Sequence, residues 1–234
     1  MTKKFLSGST LKWIALITMF IDHIGAVLIP EFYSNGIGGL YFDWVQIYRI
    51  SRDVGRISFP IFCFLLIEGY LHTKNKWKYL SRMFTFALIS EVFFDYAVYG
   101  SIFYLQSQNI FFELTLGILL MIATDFIESK SCNFYMKNLM TVAIWCLGML
   151  AGEKLGFDYG MYGILSIGIL YLFRSVRELQ ILAGAISFCW ELPAPIGIVI
   201  SYFYNGKRGS QNKYFFYAFY PLHLALFGLI KYLI

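Results

Sequence analysis

The chain has 234 residues, of which 59% are hydrophobic and 20% aromatic, while only 14% carry a charge. Because soluble domains contain about a quarter of charged residues, this composition excludes an ordinary soluble protein. The apolar runs do not alternate as the strands of a membrane barrel do, and the net charge of +5 comes from short basic loops. We therefore expect an all-α, polytopic transmembrane bundle that forms one domain over residues 1–234, and no nucleic-acid partner.

The apolar runs predict about nine transmembrane helices. In chain order they cover residues 11–29, 57–72, 80–99, 110–127, 138–152, 159–173, 179–191, 195–205 and 214–233. The seventh and eighth are short and flank the turn ELPAP at 191–195, whose two prolines interrupt a regular helix. One long, kinked segment in their place, and eight spans in all, is the alternative.

The distribution of basic residues predicts the orientation. With a cytoplasmic N-terminus and nine spans, all but five of the 19 lysines and arginines lie on the cytoplasmic side, as the positive-inside rule requires. The five on the other side are Arg49, Arg52, Arg56, Lys154 and Lys231. This split favours nine spans over eight. We expect the first helix to remain as an anchor, because its apolar run is too long for a signal peptide and lacks a cleavage site.

The stretch MFIDHIGAVLIP, residues 19–30, places Asp22 and His23 inside the first apolar run. Ionisable residues at this depth are costly, which makes them candidates for a functional site. Lys12 precedes His23 by eleven residues, so both lie on one helical face about 16 Å apart. Asp22 points about 100° away, so we expect it to meet a cation or a donor on another helix. A packing role is the alternative for His23.

A ligand with phosphates at one end and a reactive group on a long arm would match the Lys12–His23 face. Acyl-coenzyme A has this shape, and a neutral imidazole can act as a general base on the attacking acceptor. The basic turn NGKRG at 205–209 is either a further phosphate contact, through Lys207, Arg208 and backbone N–H groups, or a plain polar turn. The scattered cysteines and histidines show no metal-ligand spacing, so we expect no metal.

Other polar residues interrupt the predicted spans or precede them. In the external segment 30–56, Arg49, Arg52 and Arg56 share one face if the segment is helical, which indicates either a headgroup-contacting helix or an acceptor-binding element. The intramembrane residues face the bundle interior by the same cost argument; they are Glu68, Glu91, Asp95, Glu113 and His223. They pair with Arg56, Lys12 or Arg82, line the acceptor path, or tune His23.

Five stretches resemble the TraX family, whose named member is the F-pilin acetylase of conjugative plasmids. They are LKWIALITMFIDHIG (11–25), GRISFPIFCFLLIEGYLHT (55–73), YLSRMFTFALISEVFFD (79–95), DYGMYGIL (158–165) and NGKRGSQNKYFFYAFYPLHL (205–224). They occur in order along nearly the whole chain, which is far more specific than one short motif.

TraX proteins look like compact relatives of the membrane-bound acyltransferase-3 group. That group carries a basic residue, ten intervening residues and a histidine on its first helix, so the resemblance implies that His23 is catalytic and that Lys12 helps to hold coenzyme A. It also carries an arginine pair at the start of its third helix. The matching positions in KYLSR are Lys78 and Arg82, with lysine in place of the first arginine.

The resemblance therefore implies an acetyl-CoA-dependent acetyltransferase in the plasma (inner) membrane of a bacterium. Its acceptor is a protein amine, such as a pilin N-terminus, or a hydroxyl of a surface glycan. The candidate catalytic residues are His23 and Asp22, the candidate cofactor contacts are Lys12, Lys78, Arg82, Lys207 and Arg208, and the candidate substrate contacts are Arg56, Glu68 and His223. A small transporter or channel with proton-relay residues is the main alternative, and an inactive relative that acts as an assembly partner is another.

Overall fold

A computed structural model describes residues 4–38, 43–210 and 212–234, and within these ranges the chain is helical with no strand. The helices are α1 (Gly8–His23), α2 (Ile29–Ser34), α3 (Trp44–Gly55), α4 (Ser58–His72), α5 (Lys76–Tyr99), α6 (Ile110–Glu128), α7 (Phe134–Lys154), α8 (Gly160–Leu172), α9 (Arg177–Ser187), α10 (Pro195–Ser201) and α11 (Lys213–Leu233). A π-helical turn, Ile24–Leu28, joins α1 to α2. The prediction of an all-α bundle is confirmed.

Five helical segments in the described ranges are long and apolar enough to cross a membrane. They are Gly8–Ser34, Trp44–His72, Ile110–Glu128, Phe134–Lys154 and Tyr214–Leu233. The helix α5 is long but less apolar, since it carries Arg82, Glu91 and Asp95. The helices α8, α9 and α10 are shorter than a full crossing. The number of crossings, nine or eight, stays a prediction.

The expected external segment 30–56 is mostly helix rather than loop. The first helix continues to Ser34, and α3 begins at Trp44, where Asp43 caps its N-terminus; residues 39–42 lie outside the described ranges. The helix α3 runs antiparallel to α1, and a short turn at Arg56 and Ile57 leads from α3 into α4. Two long antiparallel segments, 8–34 and 44–72, thus form one side of the bundle.

The two ends of the bundle differ in the residues that they carry. The basal end is the one at which α1 begins, and here backbone N–H groups of Gly8 and Ser9 donate to the carbonyls of Lys207 and Arg208. The apical end is the opposite one, where Lys231 on α11 pairs with Glu31 on α2 at 3.0 Å. The helices α1, α5 and α11 all run from the basal to the apical end, and α11 packs chiefly on α5.

The π-helical turn directly after His23 has a local cause. Pro30 has no N–H and its ring clashes with the carbonyl four residues earlier, so a regular helix cannot continue through it unchanged. The N–H of Ile29 instead donates to the carbonyl of Ile24, five residues back. Such single π turns widen a helix and are frequent at functional sites.

Two apolar cores hold the helices together. The larger one joins α1, α4, α6, α8, α9 and α10 around Phe64, Ile118 and Ile167, each fully buried. The smaller one joins the end of α1 and the π turn to α5 and α11, around Leu224 and Phe227. The second core places α11 against the part of α1 that carries Asp22 and His23.

Gly55 allows a close approach of α3 to α1, because a methyl group there would overlap the Asp22 side chain. We predict that Gly55→Ala destabilises the protein by about 1–3 kcal/mol, since overpacking outweighs the better helix propensity of alanine. Thermal unfolding in detergent micelles measures the loss. Gly117→Ala is the graded control, because its added carbon lies 3.1 Å from a flexible Ile167 methyl. Equal stabilities for both variants would contradict the close contact.

Candidate functional site

The site is centred on two histidines from the first and the last helix. His23 ends α1, and its Nδ1 lies 2.6 Å from Nε2 of His223 on α11. The ring planes differ by 11° and the ring centroids are 4.9 Å apart, so the rings meet edge to edge in nearly one plane. His223 is 5% exposed, and its Nδ1 lies 2.7 Å from the carbonyl oxygen of Phe219.

Aromatic rings enclose this histidine pair. Phe20, Phe219, Tyr220 and Phe227 all have ring centroids within 6 Å of the His223 ring. The Tyr220 ring also packs edge-on against His23, at 5.7 Å between centroids. The sequence placed His223 among the substrate contacts and left tuning of His23 as an alternative, and the structure makes His223 the direct partner of His23.

Asp22 forms an ion pair with Arg52 of α3, at 2.8 Å between its Oδ2 and the guanidinium nitrogen. This confirms that Asp22 meets a cation on another helix instead of orienting His23. Its Oδ1 is buried and has no hydrogen-bond partner among the described residues. The apposition of α1 and α3 therefore fixes one carboxylate directly beside the histidine pair.

A second ion pair joins Arg56 to Glu191, at 2.9 Å. Glu191 lies in the proline-containing turn between α9 and α10, so this turn reaches the junction of α3 and α4. Arg52 and Arg56 both turn toward carboxylates, while Arg49 of the same helix is exposed. Of the stripe of three arginines, two thus face the bundle interior.

Asp158 supplies a third carboxylate, just before α8. It is exposed, yet burial raises its pKa, and Arg52 and Arg56 act in the opposite direction. Asp158 also lies within electrostatic range of Tyr220, whose ring contacts His23. If all three carboxylates are ionised, the two arginines and three carboxylates of this cluster carry a net charge of −1.

Lys12 faces the same helix as His23, as their spacing predicts. Its Nζ stands over the Phe216 ring of α11 at 5.6 Å from the centroid, and Arg208 lies within electrostatic range. The face between α1 and α11 therefore carries cations at its basal part and the histidine pair further along.

The other predicted phosphate contacts are exposed at or near the basal end. Lys207 and Arg208 belong to the turn that covers the start of α1, and the N–H of Lys207 is used by the Asn205 side chain. Lys78 and Arg82 are exposed on α5, and the Arg82 guanidinium lies 5.9 Å from the Tyr79 ring. The roles assigned to these cations stay predictions.

Glu68 belongs to a different cluster. Its carboxylate pairs with Arg177 of α9 at 2.7 Å, and the Arg177 guanidinium lies over the Phe64 ring. Glu68 follows Arg56 by twelve residues, about three helical turns, so it lies toward the basal end and away from the histidine pair. Its prediction as an acceptor contact has no geometric support.

For the remaining intramembrane acids, ion pairing was one of three alternatives, and the structure shows other partners. Instead of Arg56, Lys12 or Arg82, backbone and amide groups serve them: Glu91 accepts from Asn109, Asp95 accepts from the N–H of Tyr104, and Glu113 accepts from the N–H of Tyr159. These three acids hold the apical loops to the helices, because unsatisfied N–H groups are costly in an apolar bundle.

An apolar groove of about 810 Å³ runs between α5 and α6. Its walls include Trp77, Phe84, Phe112, Leu116 and Phe157. None of the predicted site residues lines it, so it is separate from the histidine pair.

Sequence reasoning left three groups unassigned. Asp158 lies in the family-like stretch DYGMYGIL, which was a signal for it, and Glu191 precedes Pro193 in the predicted turn. Asp125 carried no such signal, and it accepts hydrogen bonds from the hydroxyl groups of Tyr70 and Tyr171. Asp125 ties together α4, α6 and α8 toward the basal end.

These features define an all-helical membrane protein with a histidine pair and a charged cluster inside the bundle. The chain belongs to the TraX family, since the family described as "TraX protein" matches residues 7–231. The "Probable fimbrial assembly protein FimC, serogroup H1" of Dichelobacter nodosus is 30% identical over 251 residues, which cover 94% of this chain and 93% of the relative. No solved structure matches the chain.

The Asp22–Arg52 pair yields a stability prediction. Arg52→Ala leaves a largely buried carboxylate without its cation, which we expect to cost about 2–4 kcal/mol. The double variant Asp22→Asn/Arg52→Ala recovers part of this loss, because the uncompensated charge is gone. Thermal unfolding of the purified protein measures both. Glu128→Gln is the control, since its pair with Arg174 is longer, at 3.4 Å, and exposed on the Glu128 side; a similar loss there would contradict the assignment.

Proposed function

We propose that this protein is an acetyl-CoA-dependent acetyltransferase of the bacterial plasma membrane that modifies a fimbrial or pilin-type protein. Membership of the TraX family and the name of the D. nodosus relative support the link to pilus proteins. The observation that carries the chemistry is the position of His23, because its Nδ1 contacts His223 while no hydrogen bond to its Nε2 occurs among the described residues.

The reaction requires one base and one leaving group. His23 takes a proton from the acceptor, the acceptor nitrogen or oxygen forms a bond to the thioester carbon, and the carbon–sulfur bond breaks to release the coenzyme A thiolate. The thiolate then takes the proton from His23, so the site returns to its starting state. General base catalysis of this kind contributes about 10²–10⁴-fold to a rate.

The donor enters from the basal end in this proposal, with the cytoplasm on that side. Lys12 and Arg208 lie near each other, and their cations suit the phosphates of coenzyme A. The pantetheine arm would then follow the face between α1 and α11 toward His23, about 16 Å along the helix axis. Lys78, Arg82 and Lys207 are further candidate phosphate contacts on the same end.

The charged cluster favours an amine over a hydroxyl as the acceptor. After Arg52 pairs with Asp22 and Arg56 pairs with Glu191, the Asp158 carboxylate is left to attract a cation. An N-terminal ammonium group would neutralise this surplus charge, whereas a sugar hydroxyl would not. The bound ammonium group loses one proton to solvent to become a nucleophilic amine, and the second proton, which leaves as the nitrogen–carbon bond forms, is the one that His23 takes.

Purified protein tests the proposal. We expect acetyl-CoA at 100 times its Kd to raise the free energy of unfolding by roughly 2.7 kcal/mol, seen as a higher melting temperature. The wild type transfers labelled acetyl groups to a short peptide with a free N-terminus. His23→Ala keeps the thermal shift but loses transfer by about 10²–10⁴-fold.

Two controls belong to this experiment. His72→Ala removes a histidine whose ring contacts the Glu68 carbonyl, and it should leave both measurements unchanged. Acetyl-pantetheine lacks the nucleotide phosphates and should give little thermal shift. A wild type without any response to acetyl-CoA would favour a transporter or an assembly partner, and full activity in His23→Ala would exclude it as the base.

The acceptor assignment yields a separate prediction for Asp158. Asp158→Asn should raise KM for the peptide amine about tenfold, with a smaller change in kcat, since loss of a charged contact costs about 1.4 kcal/mol or more. Because burial raises the pKa of Asp158, amine affinity should fall as the pH drops through that raised value. Asp53→Asn, an equal charge loss at an exposed position of α3, is the control. An unchanged KM in Asp158→Asn would contradict an ammonium contact.

A further inference from the structure

We propose that His223 is a positioning residue: it holds the proton of His23 on Nδ1 and so leaves Nε2 of His23 free as the base. This inference concerns the same site as the proposed function and gives His223 a role other than the substrate contact expected from the sequence. The geometric part, the position of the protons on the two rings, stands independently of the reaction.

The direction of the hydrogen bonds follows from the chemistry of the Phe219 carbonyl group, which is the partner of His223 on the side away from His23. The carbonyl of Phe219 only accepts, so Nδ1 of His223 must carry a hydrogen at 2.7 Å. In a neutral His223 ring, Nε2 is then an acceptor. His23 approaches this atom with Nδ1 at 2.6 Å, so Nδ1 of His23 donates. A neutral His23 consequently has its lone pair on Nε2.

The alternative is a cationic His223 that donates from both nitrogens. That state places a charge within the ring cage of Phe20, Phe219, Tyr220 and Phe227, at a residue that is 5% exposed. No carboxylate forms an ion pair with His223 in the described ranges. A buried charge without a partner is far more costly than a neutral, hydrogen-bonded ring. The arrangement in which both imidazoles are neutral is therefore favoured.

The edge-to-edge geometry aligns the two imidazole rings for the hydrogen bond between them. The two rings are nearly coplanar, at 11°, which is the orientation that an in-plane nitrogen lone pair requires. Pro221 lies two residues before His223 and removes one backbone N–H from α11, which nevertheless continues as an α-helix from Lys213 to Leu233. On the other side, the π turn begins directly after His23.

The same hydrogen bonds also stabilise the His23 ring after it takes a proton. When the acceptor gives its proton to Nε2 of His23, the positive charge spreads over an imidazolium whose Nδ1–H still donates to His223. The His223 ring, held by the Phe219 carbonyl, stays a neutral acceptor. The proton leaves again from Nε2 to the thiolate, so no proton has to pass through His223.

Nitrogen-15 NMR of the wild type tests the proton positions directly. The chain has 3 histidines, so single variants at His23, His72 and His223 assign every imidazole signal in detergent micelles. We expect His23 and His223 at neutral pH to be neutral and to carry hydrogen on Nδ1. A His23 signal with hydrogen on Nε2, or a cationic His223, would overturn the proposal without any activity measurement.

Two variants distinguish the roles of the two ring nitrogens of His223. In His223→Gln the amide oxygen occupies roughly the position of Nε2 and can accept from His23, so we expect the His23 proton to stay on Nδ1. In His223→Asn the amide reaches the Phe219 carbonyl but not His23, so the His23 signals should shift toward the Nε2–H form. The melting temperature of each variant shows that it is folded.

We expect the His223→Asn and His223→Gln variants to differ in their kinetics as well. His223→Asn should lower kcat about 10- to 100-fold with little change in KM for acetyl-CoA, while His223→Gln should retain most of the wild-type kcat. Equal kcat values for the two variants would exclude a positioning role. If the spectra agree but no acetyl transfer occurs with any acceptor, the proposed function fails and the positioning of the proton stands.

Discussion

The structure depends on the rule that a polar or charged side chain inside an apolar bundle must find its partner within the bundle. Asp22 meets Arg52, Arg56 meets Glu191, and Glu68 meets Arg177. Each pair joins two helices or a helix and a turn, so each partner fixes an element that the apolar contacts alone would leave free to slide. The pairs thereby specify how α3, α4, α9 and the turn before α10 are arranged.

The candidate site adjoins this network of ion pairs, since Asp22 directly precedes His23. Two imidazoles meet where α1 approaches α11, directly before the π turn that follows His23 and two residues after Pro221. The neighbouring carboxylates are occupied by arginines, apart from Asp158. Asp158 lies within electrostatic range of Tyr220, whose ring contacts His23, so it is the group that the proposed cationic acceptor would meet.

The structure also separates positions that the sequence treats alike. His223 and Glu68 both interrupt apolar runs within family-like stretches, yet His223 reaches His23, while Glu68 lies about three turns from Arg56 and pairs with Arg177. The stripe of Arg49, Arg52 and Arg56 is divided in the same way, because two of its members face carboxylates and Arg49 is exposed. Helical phase relates residues on one helix, but it contains no information on which neighbouring helix meets that face.

The sequence by itself determined the all-helical membrane class, most helix bounds and the shared face of Lys12 and His23, since these depend on local hydrophobicity and on the 100° step of a helix. It also indicated that Asp22 needs a partner elsewhere. Only the tertiary structure decided that the partner is Arg52, that Glu191 reaches Arg56 and that His223 is the second ring of the site. These contacts join residues 30, 135 and 200 positions apart, and packing of whole helices, rather than any local pattern, selects them.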